Sequence, residues 1–152
     1  MDKRDKSANH RMPKGTRVSM LQRLNPANVA APFSRYSHAV IAPQGYRWLY
    51  VSGQVGADRD RKIPAGFEAQ AELAFQNLIA CIRESGFDLQ DLVKVTVLLT
   101  RAGDVAAYRQ IRDRMLGNVA PASTLMIVAG LAAPELLVEV EGVAARPAES
   151  TA

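Results

Sequence analysis

"FEAQAELAFQNLIACIRESGFDLQDLVKVTVLLT" runs from Phe67 to Thr100, and its hydrophobic period changes once along its length. Phe67, Ala71, Ala74, Phe75, Leu78, Ile79 and Ile82 recur three or four residues apart, which is the spacing of one helical face. Gly86 follows as a helix stop. "DLVKVTVLLT", Asp91 to Thr100, is then dense in Val and Leu and reads as a strand. Cys81 lies beside the apolar stripe. It reads as a small core or interface residue, because no histidine is placed to activate it as a nucleophile.

On the N-terminal side, "VSMLQRL" (Val18–Leu24) reads as a short strand and "NPANVAAP" as a loop. "YSHAVIA" (Tyr36–Ala42) and "RWLYVSG" (Arg47–Gly53) flank the turn "PQGY" and are expected to pair as a hairpin. On the C-terminal side, Asp104 is expected to cap a second helix that runs through Leu116 to Gly117. "STLMIVAGL" reads as a buried strand and "LLVEVEGVAA" (Leu136–Ala145) as the last strand. The expected fold is α+β, a mixed six-stranded sheet with two helices on one face. Its other face is apolar and no element remains to cover it, so association of copies is the simplest remedy.

The 152 residues suit one domain, expected over residues 18–146 between a basic tail (1–17) and a short C-terminal tail (147–152). Residues 1–24 hold seven Lys/Arg against Asp2 and Asp5, whereas the remaining residues are close to neutral. The tail carries no aromatic stacking platform, so nucleic acid is not an expected partner. No run reaches the roughly 20 apolar residues of a membrane span, and the start lacks the apolar core of a secretory signal. A soluble, cytoplasmic protein is expected. With one cysteine and two histidines, neither a disulfide framework nor a zinc site is expected.

Three polar features interrupt the pattern. Glu139 and Glu141 share one face of the last strand, opposite Val138 and Val140. Such a pair is either solvated or placed to do chemistry. In the second helix, Arg112 falls within the stripe of Val105, Tyr108, Ile111 and Met115, and Arg109 lies at its edge. An arginine in such a stripe snorkels or pairs with an acid, and Asp113 could pair with Arg109. At "VSGQVG", Ser52 and Gly53 end a strand, and Gly53 permits close backbone approach.

Taken together, "RYSHAV", "YVSGQVG", the Phe67–Gly86 helix, "DLVKVTVLLT", "PAST" and "LVEVEGVAA" resemble the RidA (YjgF) family, also called the endoribonuclease L-PSP or translation-initiation-inhibitor family. The resemblance implies a chorismate-mutase-like fold assembled as a homotrimer, with clefts between subunits. It implies hydrolysis of reactive enamines and imines derived from amino acids, releasing ammonia and a keto acid without metal or organic cofactor. The implied cleft residues are Tyr36, Ser52, Gly53, Pro121, Ala122 and Glu139, with the glutamate helping to activate water. The chain departs from the family at one position of the Pro-Ala-Arg-Ser motif, where Ser123 replaces the arginine that holds the substrate carboxylate. Arg109 stands where the family usually has asparagine.

Loss of a group that positions a reacting anion typically lowers a rate roughly 100- to 1000-fold. Two expectations follow. Arg109 supplies the missing charge from another wall of a cleft that takes a small anionic metabolite, or the chain binds its metabolite without turning it over. RNA binding or cleavage is a weaker alternative that rests on the older family name and the basic tail.

Overall fold

The structure, a computed structural model, describes residues 20–148. The basic tail, the opening residues Val18 and Ser19 of the expected first strand, and residues 149–152 lie outside the described residues. The first long helix, α1, spans Phe67–Glu84, and all seven residues of the expected stripe are buried on it. Gly86 takes φ +75°, a conformation glycine adopts without strain, and the Phe87 amide closes the helix end on the Ile82 carbonyl at 3.1 Å. The second helix, α2, spans Val105–Leu116. Asp104 occupies its N-cap position but makes no side-chain cap; its Oδ2 accepts instead from Arg101 Nε at 2.7 Å.

Among the described residues six strands form: β1 (Gln22–Leu24), β2 (Ala39–Ile41), β3 (Tyr46–Val55), β4 (Leu92–Leu99), β5 (Ala122–Ile127) and β6 (Val138–Pro147). Four of them make the main mixed sheet in the order β3-β6-β4-β5, with β4 and β5 parallel and the other pairs antiparallel. The remaining two, β1 and β2, pair only with each other. The α+β class with two helices packed on a mixed sheet therefore stands, but a single six-stranded sheet and a β2–β3 hairpin do not.

The reason lies at Ser37. Its amide donates to the Pro121 carbonyl at 3.0 Å and its hydroxyl to the Ala120 carbonyl at 2.7 Å. These bonds dock the chain ahead of β2 beside β5, at the far edge of the sheet from β3. β3 meanwhile pairs with β6 from Tyr46 to Val55, a longer ladder than a three-residue hairpin arm could offer.

Both helices lie on the sheet face that carries Val95, Val97, Leu99, Val138 and Val140, all of them buried. Phe75, Leu78 and Ile82 are fully buried against it. Each such side chain contributes roughly 1.5–3 kcal/mol relative to exposure. Cys81 is half-buried and packs on the core. The opposite face follows from strand alternation: Trp48 and Tyr50 on β3 pair with Ala145 and Val143, and Met126 pairs with Leu98. Tyr50 is 75% exposed, and Trp48 and Met126 are also exposed. No helix among the described residues is long and apolar enough to cross a membrane.

Candidate functional site

The candidate residues fall into two groups on opposite sides of the sheet. The first centres on Glu139. Val138 and Val140 point into the core, so the alternation turns Glu139 to the open face, where its Cα pairs with that of Leu98. The register of β3 against β6 shifts between Val51 and Gln54, and this irregularity contains Ser52 and Gly53. A Cβ placed on Gly53 would lie 1.7 Å from Glu139 Oε1. The glycine thus leaves the space that the half-buried carboxylate fills, with exposed Ser52 beside it. Glu141, two residues on, is exposed and lies close enough to raise the Lys94 pKa, although burial of that amine dominates and lowers it.

The second group lies on the helix side. Ser123 pairs in register with Val95, so its side chain shares the face of the core valines. There it borders a cavity of about 300 Å³ whose wall includes Tyr36, Tyr108, Arg109, Arg112 and Leu125. Ser37 explains why Tyr36 reaches it. The two bonds from Ser37 to the Ala120 and Pro121 carbonyls hold Tyr36 next to the start of β5. Pro121 is fully buried and Ala122, which bridges to Ser37, is half-buried. The Pro-Ala pair therefore shapes a docking point for the chain that carries Tyr36. Arg35 Nη1 donates to the Gly117 carbonyl at 2.6 Å and fixes the same segment to the end of α2.

The two arginines of α2 differ sharply. Arg112 is 3% exposed. Its Nη2 and Nε donate to Asp113 Oδ1 at 2.6 and 2.9 Å, and its Nη1 donates to Ser34 Oγ at 3.3 Å. The guanidinium carbon lies 5.7 Å from the centre of the Tyr108 ring. Asp113 is therefore the partner of Arg112 and not of Arg109. Arg109 is exposed at the cavity wall, with no hydrogen bond or ion pair among the described residues.

Helical periodicity marked Tyr108 only as a stripe residue. It is 1% exposed, stacks on Phe75 at 6.3 Å between centroids, and lines the cavity, with its hydroxyl itself buried. The hydroxyl is near enough to Ser123 and Arg112 to interact with both, yet it reaches neither in good hydrogen-bond geometry. Burial raises the Tyr108 pKa, and the charge of Arg112 partly offsets that rise. Within one chain Ser123 and Glu139 do not meet. They lie on opposite faces, two strands and three residues apart, about 10 Å in each direction.

Residues 27–146 of the chain match the family model Endoribonuclease L-PSP. The chain belongs to this family, whose members also carry the RidA and YjgF names. Among L-PSP relatives, it is 33% identical to the RutC family protein UK114 of Drosophila melanogaster, over 80% of this chain and 86% of that one. It is 30% identical to the 2-iminobutanoate/2-iminopropanoate deaminase of Rattus norvegicus, over 85% of this chain and 93% of that one. Among solved L-PSP folds, the Rid protein YyfB of Yersinia pestis superposes with a TM-score of 0.73 at 30% identity, covering 82% of this chain and 97% of that one. RidA from Psychrobacter sp. PAMC 21119 gives 0.61 at 32% identity, with 81% and 98% covered.

Proposed function

We propose that the chain acts as a homotrimer whose intersubunit clefts bind and hydrolyse a small imine or enamine carboxylate. The separation of the two residue groups carries this reading. Glu139, Ser52 and Gly53 lie on an open face with exposed Trp48 and Tyr50, while Tyr36, Ser123 and Arg109 lie on the other side. Association brings one copy's carboxylate to another copy's cationic wall and covers the exposed aromatics. The relatives named 2-iminobutanoate/2-iminopropanoate deaminases, and the structure of Escherichia coli TdcF with bound serine, support a small amino-acid-derived ligand.

In this cleft Glu139 takes a proton from water as the water oxygen adds to the imine carbon. Glu139 passes that proton to the imine nitrogen to give a carbinolamine, whose hydroxyl proton moves to the amino nitrogen as the C–N bond breaks and the carbonyl forms. Ammonia leaves and the keto acid remains. Pro121, Ala122 and Tyr36 shape the wall, and no metal or organic cofactor takes part.

The test is ammonia release by the purified full-length chain supplied with 2-aminoacrylate or 2-iminobutanoate. Release above buffer that disappears in Glu139→Gln supports the reading; release no faster than buffer for every imine sinks hydrolysis. The second reading, a metabolite sensor without turnover, is favoured by Ser123 in place of the family arginine. It would appear as ligand-induced thermal stabilisation with no ammonia formed.

A further inference from the structure

The segment Phe33–Ser37 brings Tyr36 to the helix-side cavity, yet little of it is packed. Phe33 is 84% exposed, Arg35 is exposed, Ser34 and Tyr36 are half-buried, and of the five only Ser37 is buried. A stretch with so little buried apolar surface is held by its polar contacts. Ser37 bonds to the Ala120 and Pro121 carbonyls, and Arg35 to the Gly117 carbonyl. Ahead of them, Ser34 Oγ accepts from Arg112 Nη1 at 3.3 Å, and the Tyr36 amide donates to the Ser34 carbonyl at 3.0 Å. Ser34 therefore links α2 to the tight turn that sets the Tyr36 backbone.

Burial makes the α2 end of this link a costly place for a charge. The Arg112 side chain is 4% exposed, whereas that of its partner Asp113 is 35% exposed. Such a pair adds little to stability, and an apolar residue of similar volume often does as well or better. What an apolar residue cannot do is hold Ser34. We infer that Arg112 is a positioning residue: from the core of α2 it fixes Ser34, and through the Ser34 turn it sets where Tyr36 stands in the cavity wall. The rigid fork of N–H donors lets one guanidinium hold Asp113 on one side and Ser34 on the other. The Tyr108 ring, 5.7 Å from the guanidinium carbon, supports that plane. The role does not depend on what the cavity binds; only its kinetic readout rests on the hydrolysis proposed above.

The test compares the wild-type full-length chain with Arg112→Met, Ser34→Ala and the double variant. Urea unfolding, amide exchange and ammonia release from 2-iminobutanoate are measured on each. Methionine fills most of the arginine's space, and the part-exposed Asp113 carboxylate can hydrate once released. Arg112→Met should therefore keep or raise the urea midpoint. In both single variants the Tyr36 amide should exchange roughly tenfold faster, the effect of one lost hydrogen bond. The Ser37 amide, held by the Pro121 carbonyl, should keep its rate. Ammonia release should fall about 10- to 100-fold, mostly in kcat, as a misplaced wall residue disturbs the reacting geometry. The double variant should be no worse than Arg112→Met alone, because one bond carries the effect. An unchanged Tyr36 amide in Arg112→Met would overturn the inference, as would full ammonia release from a variant whose Tyr36 amide is freed. A clear fall in the Arg112→Met midpoint, with exchange quickened evenly across the fold, would also overturn it and make Arg112 a core element. Additive losses in the double variant would show that Arg112 and Ser34 act separately and would overturn it too. A wild type that forms no ammonia would sink the hydrolysis alone, leaving amide exchange and the double variant to decide the positioning.

Discussion

Glu139 lies flat against Gly53, so closely that a methyl group on the glycine would come within 1.7 Å of the carboxylate Oε1. The irregular pairing of β3 at Ser52–Gly53 and the outward turn of Glu139 on β6 thus form one unit. Gly53→Ala should push the carboxylate away from its place. The neighbouring atoms belong to the flexible end of a side chain, so the fold should lose under about 1 kcal/mol. Misplacing a reacting group by about 1 Å can cost roughly 100-fold in rate. The expected result is ammonia release reduced about 100-fold with a nearly unchanged urea midpoint. Full activity in Gly53→Ala would separate the carboxylate's position from its chemistry.

Tyr50 and Trp48 project from the sheet face opposite the helices, and Tyr50 is 75% exposed. If that face is the contact between copies, a charge there is buried on association without a partner. Light scattering of the wild-type chain should give a mass near three times 16.5 kDa. Tyr50→Glu should shift it toward a single chain at micromolar concentration. A wild-type mass of one chain would end the trimer reading; a trimer that survives Tyr50→Glu would move the contact elsewhere.

Gln70 ties α1 to the chain before β6. It is 2% exposed, its Nε2 donates to the Pro64 and Glu135 carbonyls at 3.1 and 2.9 Å, and its Oε1 accepts from the Leu137 amide at 2.9 Å. Gln70→Leu keeps the volume and strands two carbonyls and one amide. Each orphaned buried group costs roughly 1–3 kcal/mol, less where water can enter. Urea unfolding should show a loss of about 2–4 kcal/mol. A loss below about 0.5 kcal/mol would mean that water already serves these backbone groups.

Much of this architecture is legible in residue spacing, and the misses have identifiable causes. The α1 stripe emerged complete, because seven apolar residues at helical spacing leave one face to bury. Alternation alone put Glu139 opposite Val138 and Val140. Pairing was harder. "PQGY" signals a turn but not which strand lies beside β3, and Ser37, at the other end of the short β2 segment, docks that segment beside β5 instead. The helical wheel placed Arg112 inside the stripe, where it is buried, but it gave no hint of its acid. Adjacent helical residues do not ordinarily face each other, yet the long guanidinium folds back onto Asp113. Tyr108 looked like plain core, because spacing reveals that a side chain points inward and not whether its hydroxyl finds a partner.

The buried phenol of Tyr108 also makes an alkaline prediction. Burial raises its pKa above the ordinary value of 10.0, with Arg112 opposing. The folded state therefore holds the phenolic proton more tightly than the unfolded chain does. Below pH 10 both states are protonated and the contribution is intact. As pH climbs from 10 through the raised folded value, unfolded chains release the proton and folded ones keep it, and stability falls. For one proton the limiting slope is about 1.4 kcal/mol per pH unit. Lys94 works the other way. Its pKa is lowered, chiefly by burial, so the fold gains stability as pH rises toward 10.5. Lys94 is present in both the wild type and Tyr108→Phe, so its effect cancels in their difference. Urea midpoints measured from pH 8 to 11 should run parallel for the two proteins up to about pH 10. Above that the wild type should lose ground to Tyr108→Phe. Curves that stay parallel to pH 11 would mean that the hydroxyl titrates as it does in water, and that the cavity wall around Ser123 is wet.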